Sequence, residues 1–124
     1  MHDSKLSAIV TTIQVPHLEK AIEYYEQFDF VKEWAWPDAD PTHASLSKDG
    51  IGFMITKSLD HTSIQKGDLY FRISNVEGYY SYLKDQGIID VELVQSDYGM
   101  LDFSITDPWG HRLTFGEPKG DFEL

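Results

Sequence analysis

Residues 15–25 read VPHLEKAIEYY and residues 73–83 read ISNVEGYYSYL. Laid over one another, they place Leu18, Ala21, Ile22 and Tyr25 on Val76, Tyr79, Tyr80 and Leu83. Each quartet has the i, i+3, i+4, i+7 spacing of a helix with one apolar face. Asn75 is a good N-cap for the second helix, and Gly87 a good residue to follow its last turn. An alternating, strand-like run precedes each helix: Ile9-Thr11-Ile13-Val15 in the first half and Leu69-Phe71-Ile73 in the second. The same strand–helix unit is therefore expected twice in one chain.

Three strand-like segments follow each helix. In the first half they are Phe30–Trp36, Thr42–Ser47 and Ile51–Thr56, the last two joined at Asp49-Gly50, a dipeptide suited to a two-residue hairpin turn. In the second half they are Asp90–Val94, Met100–Thr106 and His111–Gly116. Here the joining turn is Asp107-Pro108-Trp109-Gly110, with Pro at a fixed φ and Gly able to take φ > 0. The expected fold is α+β: two tandem βαβββ modules, about residues 6–56 and 68–117, forming curved half-barrel sheets with the helices outside. Residues 57–67, largely polar, read as the linker, and the 124 residues together as a single domain.

Strand parity sorts residues by face. Positions in phase with Ile13 and Val15, or with Leu113 and Phe115, belong beneath the helices. The opposite faces carry Val10, Thr12 and Gln14; Gly52 and Met54; Asp68, Tyr70 and Arg72; Asp102 and Ser104; Arg112 and Thr114. This second set is mixed in polarity, as the wall of a cavity would be.

Composition narrows the function classes. A hydrophobic content of 41% and a charged content of 25% are those of a globular protein rather than a disordered one. With no Cys, disulfides, thiolate metal sites and Cys nucleophiles are excluded. No run approaches the roughly 20 apolar residues of a membrane helix, and no signal core is evident at the N-terminus, so a cytoplasmic location is the default and no membrane partner is expected. Ten Lys+Arg against 21 Asp+Glu give a net charge of −11. That field repels phosphate backbones, so nucleic acid is not an expected partner, whereas cationic ligands are attracted. The same acidity also serves solubility alone. No Ser-His-Asp set, phosphate-cradling glycine loop or helical His pair is present.

The duplicated βαβββ pattern, the Val-x-x-Leu-x-x-Ala helix start and the Asp-Pro-x-Gly-His hairpin together resemble the vicinal-oxygen-chelate superfamily, which includes glyoxalase I, extradiol dioxygenases and the bleomycin-resistance proteins. The resemblance spans Ser7 to about Pro118. Asp29 stands where the family usually has Gly after the first helix, and Asp takes the left-handed conformation at some cost. Metalloenzymes of the family draw ligands from an outer position on each module's first strand and a carboxylate on its last; carried over, these fall on Val10, Met54, Asp68 and Thr114. Val10 and Met54 are no ligands for a hard or borderline cation, Thr114 is a poor one, and only Asp68 is suited. The resemblance thus implies the family's metal-free, bleomycin-resistance-like branch, with no metal, no cofactor and no catalytic residue. Such proteins hold a bulky, cationic, planar ligand in a groove between two protomers, so a homodimer is implied as well.

The residues expected to line that groove are Trp34, Trp36, His43, Met54, Asp68, Tyr70, Arg72, Tyr98, Asp102, Ser104 and Thr114. Aromatic faces stack on planar rings and attract cations. Five of them have a plainer alternative: Trp34 and Trp36 also suit a dimer seam, Arg72 and Asp68 a charge pair at the sheet end, and Asp102 a strand end. His111 reads as a brace of its hairpin; His43 alone of the five histidines points to the cavity. The competing function is a metal-dependent lyase, isomerase or dioxygenase with a site rebuilt from Asp68, His43 and others.

Overall fold

The computed structural model describes residues 2–59 and 64–119 and divides into two compact units, residues 1–64 and 65–124. Part of the expected linker, including His61, lies outside the described residues.

The first unit contains β1 (Thr12–Val15), α1 (Leu18–Glu26), β2 (Val31–Trp36), β3 (His43–Lys48) and β4 (Ile51–Lys57). The second contains β5 (Asp68–Arg72), α2 (Val76–Asp85), β6 (Val94–Gln95), β7 (Met100–Thr106) and β8 (Arg112–Pro118). Each unit is thus βαβββ. Its four strands form one open mixed sheet, ordered β1-β4-β3-β2 in the first unit and β5-β8-β7-β6 in the second. The first strand runs parallel to the last, and the other pairings are antiparallel.

The helical quartets behave alike. Leu18, Ala21 and Tyr25 are buried in α1, as are Val76, Tyr79 and Leu83 in α2, while Ile22 and Tyr80 are half-buried. Under α1, Tyr25 and Phe30 both pack edge-on against Phe53, at 5.1 and 5.2 Å between ring centroids. Under α2, Phe115 stacks on Phe71 and Phe103 and takes Tyr79 edge-on. Burying such rings removes a large apolar area and sets the helix on its sheet.

The turns follow their residues' backbone preferences. Asp49 and Gly50 both have positive φ, 54° and 79°, as a type I′ hairpin requires. Asp29 is left-handed at φ 70°. Asn75 caps α2 by accepting a hydrogen bond from the Gly78 amide at 3.2 Å, and the Glu117 carboxylate accepts from the amides of Asn75 and Val76 at 3.0 and 3.1 Å. Anionic groups suit the positive end of a helix.

Three expected boundaries are corrected. The first strand begins at Thr12 and not at Ile9, because Ile9 and Val10 are 93% and 61% exposed and find no core to pack on. The segment expected as a strand over Asp90–Val94 contributes only Val94–Gln95. Its Val91 carbonyl instead accepts the Tyr80 hydroxyl at 2.7 Å, and Ile89 is buried, so this stretch is tied to α2 rather than extending the sheet. Lys57, assigned to the linker, closes β4.

Candidate functional site

The hairpin that opens β8 is built around Asp107. Its Oδ1 accepts the amides of Trp109 (2.9 Å) and His111 (2.8 Å), and the Asp107 amide donates to the His111 carbonyl (2.8 Å). His111 is fully buried, and its Nδ1 accepts the Gly67 amide at 2.8 Å just before β5. His111 is therefore a brace, as its position after the turn glycine suggests. The brace fixes β8 beside β5.

The β5–β8–β7 register then determines which side chains share the face opposite α2. Asp68, Arg112 and Thr106 form one row; Tyr70, Thr114 and Ser104 the next; Arg72, Gly116 and Asp102 the third. In the first row Asp68 and Arg112 are ion-paired at 3.7 Å, both largely exposed. In the second, Thr114 is 2% exposed and its hydroxyl is hydrogen-bonded to that of Ser104 at 2.7 Å.

Tyr70 leans out of its own row. Its hydroxyl donates to Asp102 Oδ2 at 3.0 Å and lies over Gly116, where a Cβ would collide with it. The close approach is open only to glycine. The Tyr98 hydroxyl reaches the same Asp102 oxygen at 3.4 Å. Burial of the phenol, together with the hydrogen bond to and negative charge of Asp102, pushes the Tyr70 hydroxyl's pKa well above its ordinary value; the Arg72 charge opposes this slightly. Tyr70 therefore stays a neutral donor at physiological pH. The second unit thus gathers Asp68, Tyr70, Arg72, Tyr98, Asp102, Ser104 and Thr114 at one sheet face.

In the first unit, the face opposite α1 carries two rows: Trp34, Ser45, Met54 and Thr12, then Trp36, His43, Thr56 and Gln14. The four remaining expected residues, Trp34, Trp36, His43 and Met54, therefore share this face. Trp34 and Trp36 are 45% and 61% exposed. The Trp36 ring centroid is 5.8 Å from that of His43, whose Nδ1 is 2.8 Å from the Thr42 hydroxyl.

One further polar group on this face escapes a strict alternation. A bulge between Lys32 and Trp34 leaves Glu33 as an extra residue, and Glu33 Oε1 accepts the Ser47 hydroxyl. The signal was the conflict within KEWAW, where perfect period two puts Glu33 on the core side with Ala35. A depression of ≈350 Å³ lies here, lined by Val10, Glu33, Ser45, Ser47, Gly50 and Gly52 among others. A second cavity, ≈330 Å³, lies at the start of α1 beside Lys20, Lys32 and Lys57, and no expected site residue lines it.

The metal positions implied by the family do not fit a metal. Val10 and Met54 offer no hard donor, the Thr114 hydroxyl is buried and paired with Ser104, and Asp68 is beside Arg112. No cluster of three or more His, Asp or Glu suited to a metal occurs among the described residues. No helix among them is long and apolar enough to cross a membrane.

Solved structures with this architecture are numerous. A bleomycin resistance determinant encoded on the transposon Tn5 superposes with a TM-score of 0.75 at 14% identity, over 93% of this chain and 100% of that one. A bleomycin-binding protein from bleomycin-producing Streptomyces verticillus, complexed with copper(II)-bleomycin, gives 0.73 at 12% identity, over 95% and 99%. Lactoylglutathione lyase from Agrobacterium tumefaciens gives 0.70 at 16% identity, over 91% and 95%. At such identities the likeness is one of fold. No curated protein matches the sequence significantly. The model of the Glyoxalase/Bleomycin resistance protein/Dioxygenase superfamily matches residues 7–115, nearly the whole chain, and the protein belongs to that superfamily.

Proposed function

We propose that this protein is a metal-free binder of small molecules that holds, rather than transforms, a planar or cationic ligand of the antibiotic type. The observation that carries this reading is the chemistry at the four family metal positions, where Val10, Met54 and Thr114 replace good ligands. The Asp68–Arg112 pair is exposed and worth less than about 1 kcal/mol, so the argument rests on the other three positions. Lewis-acid catalysis has no support without such ligands.

Two further features favour a cationic, flat ligand. The net charge of −11 raises the local concentration of cations. Trp34 and Trp36 on the first sheet, and Tyr70 and Tyr98 on the second, are all exposed, with ring faces suited to stacking. The neighbour held in complex with copper(II)-bleomycin gives a precedent within the fold. Exposed aromatics of this size also favour a homodimer, since monomers avoid such patches; a single monomeric species in sedimentation at micromolar protein would refute it.

The competing reading, a metal-dependent enzyme, draws on the lactoylglutathione lyase neighbour and on Asp68. Metal analysis and ligand-retention mass spectrometry on the same preparation separate the two. The expectation is retention of antibiotic-like compounds with no stoichiometric Zn, Ni, Mn or Fe. A metal surviving dialysis, with an activity lost on chelation, would overturn the proposal.

A further inference from the structure

Resting on the reading of the second unit as a ligand-binding surface, we infer that its third cross-strand row recognises a zwitterion, with Asp102 taking the ligand's ammonium or guanidinium and Arg72 its carboxylate or phosphate. Arg72, Gly116 and Asp102 are register neighbours on β5, β8 and β7. The two charged residues are therefore two strand spacings apart, about 10 Å between backbones. Neither makes an ion pair, with the other or with any other group, among the described residues.

The space between them, over Gly116, is filled. The Tyr70 phenol lies over Gly116, between the two, and donates to Asp102 Oδ2. That oxygen also faces the Tyr98 hydroxyl, while Asp102 Oδ1 has no partner among the described residues. A carboxylate offers about four acceptor sites, so Oδ1 is available to a cationic donor. Both phenols hold the carboxylate in place with neutral hydrogen bonds and leave its charge uncompensated. Arg72 is exposed, and its planar fork suits a carboxylate or phosphate. A flat ligand resting on Tyr70, with opposite charges at its two ends, satisfies both groups at once. A simple cation satisfies one and meets the like charge of Arg72.

Three probes on one ring test this by calorimetry with the full-length protein: para-aminomethylbenzoate, which carries both charges at opposite ends of a flat ring, benzylamine and benzoate. The expected result is that para-aminomethylbenzoate binds at least about tenfold more tightly than either single-charge probe, the scale of one charge-assisted hydrogen bond. Asp102→Asn should bring it down to the level of benzoate, and Arg72→Gln to that of benzylamine. The ranking of probes on the unaltered protein stands even if a variant folds poorly. If benzylamine binds as tightly as para-aminomethylbenzoate and Arg72→Gln changes neither, the zwitterion inference is wrong and the cation-binding reading survives. If none of the three binds while other compounds are retained, the inference again fails alone. If no small molecule of any kind is retained, the binding function fails with it.

Discussion

Replacing Gly116 by Ala tests how tightly the Tyr70–Asp102 contact is built into the second sheet. Gly116 lacks a left-handed φ, so an L-residue fits its backbone. The added methyl, however, would overlap the Tyr70 hydroxyl and touch Asp102 Cβ at 3.0 Å. The obstructing atom is the far end of a rotatable side chain, so Tyr70 is expected to swing outward rather than the sheet to break. The loss is one solvent-accessible hydrogen bond to a carboxylate, about 1 kcal/mol. Against it stands the gain of about 0.5–1 kcal/mol for removing a glycine from a strand. The two nearly cancel, so thermal unfolding should shift by no more than a few degrees. The phenol should report the change instead. In the native protein the Tyr70 pKa is raised by burial and Asp102, so native stability should fall as pH climbs above the ordinary tyrosine value, about 10. Once Tyr70 is displaced, its ionisation should return toward that ordinary value. Tyrosinate absorbance followed against pH, with Tyr70→Phe to assign the transition, measures it. An unchanged late-titrating tyrosine in Gly116→Ala, or a collapse of the fold, would refute the reasoning.

Three other outcomes are expected. Asp107→Ala strips the acceptor from two amides, one of them on fully buried His111, and should cost about 2–4 kcal/mol; calorimetric unfolding should show a drop on the order of 10 °C, with Asp107→Asn retaining much of the loss-free behaviour. Glu117, whose pKa is lowered by the Val76 and Asn75 amides, should stabilise the fold fully above its unfolded value, about 4.3, and lose this as pH falls through its native value; the advantage of the native protein over Glu117→Gln, about 1 kcal/mol in urea titrations near neutrality, should therefore shrink in acid. Trp34→Ala and Trp36→Ala should each weaken binding of a flat cation such as a bleomycin-like compound by about 1–2 kcal/mol, read by fluorescence titration, and raised salt should weaken it further.

Much of this protein was legible in the chain itself. The helical quartets, the Asp49-Gly50 hairpin and the α2 cap at Asn75 depend on bonded geometry within a few residues, whereas the left-handed Asp29 was implied only by the family resemblance. The unsuitability of Val10, Met54 and Thr114 as ligands follows from side-chain chemistry alone. Strand ends were less legible. Whether Ile9 extends β1, or Asp90–Leu93 extends β6, depends on whether a core or a partner strand is there to receive them, and that is a property of the assembled fold.

The local periods determined the two modules and the faces of their strands, because period 3.6 and period 2 are written into every consecutive residue. Only the tertiary structure decided which polar groups meet. Tyr70 and Asp102 are 32 positions apart and Gly67 and His111 are 44 apart, and each pair is joined by the register of a parallel strand on an antiparallel hairpin. The Glu33 bulge shifted one strand by a residue and delivered a carboxylate to Ser47. Such meetings are selected by packing and register across the whole sheet, where a single-residue slip would exchange one face for the other.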